Sequence, residues 1–356
     1  MPSLIHREQF VSPADLDDYL AMGYRIAGQA VYTSEYIKLK ENQLVSVLPL
    51  RLGLKNYEPR KNQRKSKRKN DTRFRSLIGP ASLDLAEEKA LNQLYKLAHP
   101  EKVIDDLSYH VKGRQTNERL IRTWQTKVYD GHRLVATSFF DLGDNSAYSK
   151  QGIYDPAYAK WGLGIYTMLL EIDFCKWAGR SWYYPGYVGV EIGDFDYKLR
   201  LGSMEYFDFR SQSWQLFDKT KMAQAPLSEM EQKLHQLSEL LRESGIENQL
   251  QRYYYGDVRY AMRMAPDRYL DGPFLLNLGP TQADDQNTEL VVTYELVGEY
   301  PFGLMEVERC FSAAMHPRPV FRDDTYDHVS KARRKLHFSR TAEEMCVFIR
   351  QLERTR

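Results

Sequence analysis

The stretch from Trp124 to Val190 constrains the fold more tightly than any other part of the chain. Trp124–Tyr129 and Arg133–Phe140 are rich in strand-forming residues and flank Asp130-Gly131-His132, which predicts a β-hairpin. Ala147–Ile153 reads as a further strand. After Tyr154-Asp155-Pro156 come Gly162-Leu163-Gly164 and then Met168, Leu169, Ile172 and Cys175 at helical spacing, up to Gly179. Ser181–Val190 resumes as a strand. Hairpin, strand, glycine turn, helix and strand, in that order, predict an α+β frame.

The flanking sequence is built around it. Ser12 is placed to cap a short helix with Pro13 in its first turn and Gly23 at its end. Strand-like segments follow at Tyr24–Tyr32, Tyr36–Lys40 and Leu44–Leu54, and a helix is predicted over Leu85–Ala98, ended by Pro100. Further on, Leu227, Met230, Leu234, Leu237 and Leu241 mark an amphipathic helix with a capping box of Ser228 and Glu231 and an end at Gly245. This helix is expected to separate the body from a tail. The tail has strand-like patches at Phe274–Leu278 and Leu290–Val297, a basic stretch at Lys331–Lys335 and a helix near Glu343–Leu352. A length of 356 residues is enough for two domains, each with a sizeable core.

Charge is distributed unevenly. Seven of the ten residues from Arg60 to Lys69 are basic (Arg60, Lys61, Arg64, Lys65, Lys67, Arg68 and Lys69), whereas the whole chain carries only +2, so the remainder is mildly acidic. Flanked by Pro59 and Asn70-Asp71, the run is expected as a solvated loop, with binding of backbone phosphates as the rival reading. The three cysteines, Cys175, Cys310 and Cys346, have no CxxC spacing, which favours a reducing cytoplasm over a disulfide framework. Eight histidines are scattered without metal-like spacing, and no metal site is expected. No run approaches 18 apolar residues and Met1–Asp17 lacks the pattern of a signal peptide, so no membrane partner is expected. A Walker-type loop, HExxH and GxSxG are missing, and Gly162-x-Gly164 lacks the third glycine of a dinucleotide fingerprint.

The order of elements in the middle of the chain outlines an N-acyltransferase fold of the GNAT type. Within it, Tyr154-Asp155-Pro156, Leu163-Gly164-x-Tyr166-x-x-Leu169-x-Glu171-Ile172, Tyr183-Tyr184-x-Gly186-Tyr187 and Tyr197-Lys198 follow one another in register. Together with Gly23-Tyr24-Arg25-x-x-Gly28 and the proline-led basic run Pro59 to Lys69, they resemble the aminoacyl-tRNA–protein transferases, chiefly the arginyl type and its bacterial leucyl relatives. The resemblance covers about Leu16 to Trp214, and Glu247–Arg356 has no counterpart in it.

The resemblance implies a paired GNAT-like architecture: an N-terminal half at 1–122 with a basic loop at 60–69, and a catalytic core at 123–225. A linking helix at 226–245 and an extra C-terminal α/β region at 246–356, of unassigned role, complete it. The implied reaction moves an aminoacyl group from charged tRNA to the N-terminal α-amine of an acceptor protein, arginyl transfer of the N-degron type being the first expectation. The ester to the tRNA ribose is already activated, so no cofactor beyond aminoacyl-tRNA is implied. Tyr187, Tyr197 and Lys198 are the implied catalytic residues. Tyr187 reads either as a polar cleft contact or as a buried strand tyrosine, and Lys198 either as a stabiliser of negative charge or as an exposed lysine after a strand. Leu163 and Gly164 are expected to offer backbone groups to the ester, Glu191, Asp194 and Asp196 to act as base or specificity determinants, and Asp155 to cap the turn at Pro156. The basic residues from Arg60 to Lys69 become tRNA contacts.

Three departures bear on that reading. Met1–Arg122 contains no cysteine, unlike relatives with an N-terminal cysteine cluster. Ile192-Gly193-Asp194-Phe195-Asp196 stands where the family tends to place Cys-x-Lys-Met-Arg/Lys, which predicts an acceptor or amino acid other than that of the arginyl type with its acidic N-termini. Trp161 stands where bacterial relatives often have Arg. Two other readings stay open: an acyl-CoA N-acyltransferase, opposed by Ala159 where Arg or Gln would begin a pyrophosphate loop, and a tRNA-binding relative without catalysis. The oligomeric state is not legible.

Overall fold

The computed structural model describes residues 3–5, 9–39, 43–82, 85–100, 106–114, 116–218, 225–256, 270, 272–282, 285–310 and 324–355. His6, His316 and Lys40, the last residue of an expected strand, lie outside them. The chain divides into two compact units, one of His6–Tyr32 and Leu48–Thr220, the other of Met1–Ile5, Thr33–Val47 and Lys221–Arg356.

In chain order the first elements are β1 (Ser3–Ile5), α1 (Pro13–Ala21), β2 (Arg25–Ala27), β3 (Ala30–Ser34), β4 (Tyr36–Lys38) and β5 (Leu44–Gly53). Next come α2 (Lys61–Arg73), β6 (Arg75–Pro80), α3 (Leu85–Ala98), β7 (Thr123–Asp130), β8 (Arg133–Leu142) and β9 (Ser146–Tyr154). Then follow α4 (Leu163–Trp177), β10 (Trp182–Gly189), β11 (Met204–Asp208), β12 (Ser213–Leu216) and α5 (Pro226–Glu243). The chain ends with β13 (Gln249–Tyr253), β14 (Phe274–Gln282), β15 (Asp285–Tyr294), β16 (Phe302–Cys310), β17 (Thr325–Tyr326), β18 (Val329–Ser339) and a sixth helix, α6 (Ala342–Thr355).

The first unit is built on a sheet with the strand path β12–β11–β5–β10–β9–β8–β7–β6. The predicted hairpin is present as β7 and β8, closed at Asp130↔Arg133, and β8 pairs antiparallel with β9. α4 then carries the chain over the sheet, so that β10 returns parallel to β9. Leu163, Tyr166 and Leu170 of α4 seal one core with Phe74, Val128 and Val135, whereas Leu91 and Tyr95 of α3 seal another with Phe139 and Ile153. Asp155 is structural, as expected: its Oδ1 accepts the Ala157 amide at 2.9 Å and its Oδ2 takes the Arg133 guanidinium at 2.5 Å.

The basic run is not a loop but α2. Lys, Arg and Gln are good helix formers, and the Arg60 amide is capped by Gln63 Oε1 at 2.5 Å. Like-charge repulsion along the helix is offset by one anchored stripe, Gln63, Lys67, Asn70 and Phe74. Gln63 Nε2 donates to the Arg200 and Leu201 carbonyls at 2.8 and 3.1 Å, Lys67 reaches Asp71 and Asp173 at 2.9 and 3.2 Å, and Asn70 Nδ2 donates to the Trp161 carbonyl at 3.0 Å. The opposite stripe, Lys61, Arg64, Lys65 and Arg68, is exposed.

In the second unit the sheet order is β17–β13–β14–β15–β16–β18, antiparallel at every described pairing except β13 with β17. The C-terminal region is therefore α+β rather than α/β. The helix read as a link is a core element, with Leu234, Leu237 and Leu241 of α5 buried against Leu276, Leu290 and Leu304 of the sheet and Met345 and Ile349 of α6. It starts at Pro226, two residues before the expected Ser228 cap, because the Leu227 amide finds an acceptor in Ser46 Oγ at 3.1 Å. Gln63→Ala removes both the cap and two carbonyl contacts of α2. We expect about 1–3 kcal/mol of destabilisation, read as faster amide exchange across residues 61–70 than in the wild type.

Candidate active site

β9 and β10 pair at Trp182↔Ser146, Tyr183↔Ala147 and Tyr184↔Tyr148 and then part, although β9 continues to Tyr154 and β10 to Gly189. The cause lies in two residues of β10. Pro185 has no amide hydrogen to donate, and Gly186 takes φ +97°, a left-handed conformation that carries the backbone off the ladder. A fork opens between two parallel strands, floored by Tyr148 and Tyr184.

Polar side chains collect at this fork. Arg25 from β2 is fully buried, its Cζ 4.8 Å from the Tyr32 ring and 4.9 Å from the Tyr187 ring. Lys198, from the turn after β10, approaches the same Tyr187 ring at 4.6 Å and donates to the Tyr187 carbonyl at 2.9 Å. A Cβ on Gly186 would stand 3.1 Å from Lys198 Nζ and 4.0 Å from the Tyr148 hydroxyl, so the glycine leaves room for both. Burial, reinforced by the nearby Arg25 charge, lowers the Lys198 amine to about 7. Lys198 is thus poised between ammonium and free amine at neutral pH, and the expectation of an exposed lysine is corrected.

Beneath the fork lies a buried carboxyl. Glu171 of α4 receives hydrogen bonds from Ser138 on β8 and from the Tyr183 hydroxyl on β10, the latter at 2.7 Å, and Ser149 on β9 is a third partner. One side chain therefore ties the helix to three strands at the level where the ladder ends. Burial raises its carboxyl to about 7 against the hydroxyl contacts that lower it.

The structure gathers some of the expected residues and separates others. Tyr187 and Lys198 meet, and Tyr197, 39% exposed, lies at the rim with its ring 5.8 Å from Lys198 Nζ. Glu191 and Asp194 are exposed on the loop after β10, and Asp196 is half-buried two residues before Lys198. Leu163 is wholly buried in the core, and Gly164 faces the Tyr154 ring, six residues beyond Tyr148 and so about 20 Å further along β9. Arg25 and Glu171 went unassigned in the sequence, although both stand inside the quoted motifs, because a charged residue in a strand or helix gives no sign of being buried.

On the outer face, Arg60, Lys61, Arg64, Lys65, Arg68 and Lys69 are all exposed, and only Lys67 is committed to carboxylates. Trp161 provides the flank of this surface, with Lys69 Nζ 4.3 Å and Arg73 Cζ 4.9 Å from its ring. The arrangement presents cations in a helical row, a geometry suited to a phosphate backbone. Among the described residues no helix is long and apolar enough to cross a membrane.

The folded state holds the Glu171 proton more tightly than the unfolded chain, whose carboxyl titrates near 4.5. Its contribution to stability is complete below 4.5 and is lost as pH rises through about 7. Glu171→Gln should accordingly gain on the wild type between pH 5 and pH 8, by about 3 kcal/mol at most. Parallel stability curves for the two proteins across that range would count against it.

Residues 55–208 match the family model described as "Arginine-tRNA-protein transferase, C terminus". An aspartate/glutamate leucyltransferase of Shewanella sp. (strain MR-7) is 27% identical over 188 residues, covering 52% of this chain and 74% of that protein. One from Vibrio cholerae is 25% identical over 195 residues, covering 54% of this chain and 80% of that protein. Among solved structures, the L-PGS of Bacillus licheniformis aligns with TM-score 0.31 and 13% identity over 49% of each chain, and a fungal GCN5-related glucosamine N-acetyltransferase region with TM-score 0.30 and 13% identity over 45% of this chain and 20% of that one. This chain thus spans about half the length of the first and a fifth of the second. By the sequence matches, residues 55–208 are similar to the C-terminal part of the arginine-tRNA–protein transferases, and about half of the chain is similar to the aspartate/glutamate leucyltransferases.

Proposed function

We propose that this chain transfers an aminoacyl group from charged tRNA to the N-terminal α-amine of an acceptor protein, on a GNAT-like core whose fork is the reaction cleft. The observation that supports this best is Lys198, a buried amine titrating near 7 beside the Tyr187 ring at the fork. In the reaction the acceptor amine attacks the ester carbonyl carbon, a C–N bond forms, and the attacking nitrogen must lose a proton. Unprotonated Lys198 takes that proton. As the C–O bond to the ribose breaks, the resulting ammonium returns a proton to the leaving oxygen. A base with pKa near the working pH suits both halves of this exchange, and the acceptor amine, near 7.7–8.0 in its ordinary state, needs little help to be neutral.

α2 would hold the tRNA backbone through its exposed stripe. The relatives named above are leucyltransferases, and leucine is therefore preferred here over the arginine expected first. Their names specify aspartate and glutamate, whereas this chain carries Asp194 and Asp196 on the loop after β10. Anionic side chains there would repel an acidic acceptor, so its preferred N-termini are neutral or basic.

The test supplies labelled leucyl- and arginyl-tRNA with peptides bearing each N-terminal residue. Leucine incorporation is expected, weakest on Asp and Glu. Lys198→Met should lower kcat/KM by about 10²- to 10⁴-fold and yet raise the melting temperature below pH 7. The sign follows from the lowered amine: wild-type stability rises with pH from about 7 toward the ordinary lysine value of 10.5, so the advantage of removing the buried cation is largest at low pH. Tight RNA binding without transfer to any peptide would favour the non-catalytic reading, and acyl-CoA consumption would favour the acyltransferase.

A further inference from the structure

Trp177, the last residue of α4, is 84% exposed, the highest value among the described large apolar side chains, and no step of the proposed transfer uses it. It is not isolated. Its ring lies 5.9 Å from Phe174 with an interplanar angle of 37°, and Phe174 lies 4.8 Å from Trp124 of β7 at 35°. Three tilted rings step from solvent down to the sheet, and the two lower ones are half-buried.

The surroundings of this stack are cationic. Arg122, exposed, has its Cζ 5.9 Å from the Trp124 ring, Lys176 precedes Trp177, and Arg180 follows it by three residues. The nearest carboxylate along the helix, Asp173, is engaged by Lys67 at 3.2 Å. Rings interleaved with Arg and Lys suit the flat faces and charged backbone of single-stranded nucleic acid.

The stack also has a definite relation to α2. Tyr166, Asp173 and Trp177 lie on one stripe of α4, at separations of seven and four residues. Tyr166 donates to Asp71 at 2.8 Å and Asp173 pairs with Lys67, so moving up α4 corresponds to moving back down α2. Trp177 therefore emerges level with the first turn of α2, where Lys61 and Arg64 face solvent. The Lys176 amine, which donates to the Tyr57 carbonyl just ahead of α2 at 2.6 Å, fixes the same level.

We propose that Trp177, backed by Phe174 and Trp124, is a stacking platform for an unpaired base of the RNA whose phosphates α2 holds. The proposal rests on the tRNA-dependent reading above and adds to it a contact with a base rather than with the backbone. α2 supplies affinity that falls with salt, whereas the platform supplies a preference for single-stranded RNA that does not depend on salt.

The experiment compares binding of two RNA hairpins of identical stem, one blunt and one with a four-nucleotide single-stranded 3′ overhang, over a range of salt. The wild type should prefer the overhang. Trp177→Ala, at an exposed position where the fold is not at risk, should lose about 5- to 100-fold in affinity for the overhang RNA, with the blunt hairpin and the salt slope unchanged. Trp177→Phe should restore most of the preference, and Arg64→Ala with Arg68→Ala should instead flatten the salt slope for both RNAs. Equal affinity of wild type and Trp177→Ala for the overhang RNA overturns the platform while leaving the transferase reading standing, as does an equal loss on both RNAs. Failure of the wild type to bind either hairpin overturns both.

Discussion

A hydrogen-bond ladder that stops after three residue pairs is the constraint on which the first unit depends. Were β9 and β10 paired to their ends, the sheet would be continuous and Tyr187 would be one more strand tyrosine. Pro185 and Gly186 prevent this by chemistry that no neighbour needs to enforce: one cannot donate, and the other adopts a backbone geometry that side-chained residues avoid. The parted strands would have exposed backbone groups to satisfy. The Tyr187 carbonyl is satisfied by Lys198, so the residue that fills the fork is also the one that makes it tolerable.

Much of this was legible in the chain. Hairpin, helix and returning strand between Trp124 and Val190 follow from turn residues and hydrophobic period, which are local signals. The state of α2 was not, because a run of like charges has the composition of a solvated loop. Its helical form rests on Gln63, Lys67, Asn70 and Phe74, spaced by four, three and four, three of them polar residues whose partners are up to 138 positions away in sequence. Lys198 and Arg25 were obscured for a related reason. Hydropathy places a lysine outside, and only tertiary structure shows that it is walled by tyrosines and next to a second cation.

Charge is thus handled in two physical regimes within one unit. Along α2 the cations are hydrated and screened, and their combined field matters more than any one of them. At the fork the medium is poor in water, and single charges alter the proton affinity of their neighbours: Arg25 acts on Lys198, and Glu171 is held in a ring of hydroxyls. Trp161 shows how an aromatic ring serves the first regime, gathering Lys69 and Arg73 on its face without neutralising them.

The connectivity of the two units has an engineering consequence. The segment Thr33–Val47 belongs to the same unit as the C-terminal third of the chain, and its Tyr36 lies in the core formed by α5, α6 and their sheet, while Lys38 donates to the Tyr254 carbonyl at 2.7 Å. A truncation after α4 and its following strands would therefore not release a self-sufficient fragment. It would leave β4 and the start of β5 with an apolar face and a buried amine uncovered, a recipe for misassembly. Minimal versions of this protein are better sought by circular permutation or by redesigning that segment than by cutting the chain.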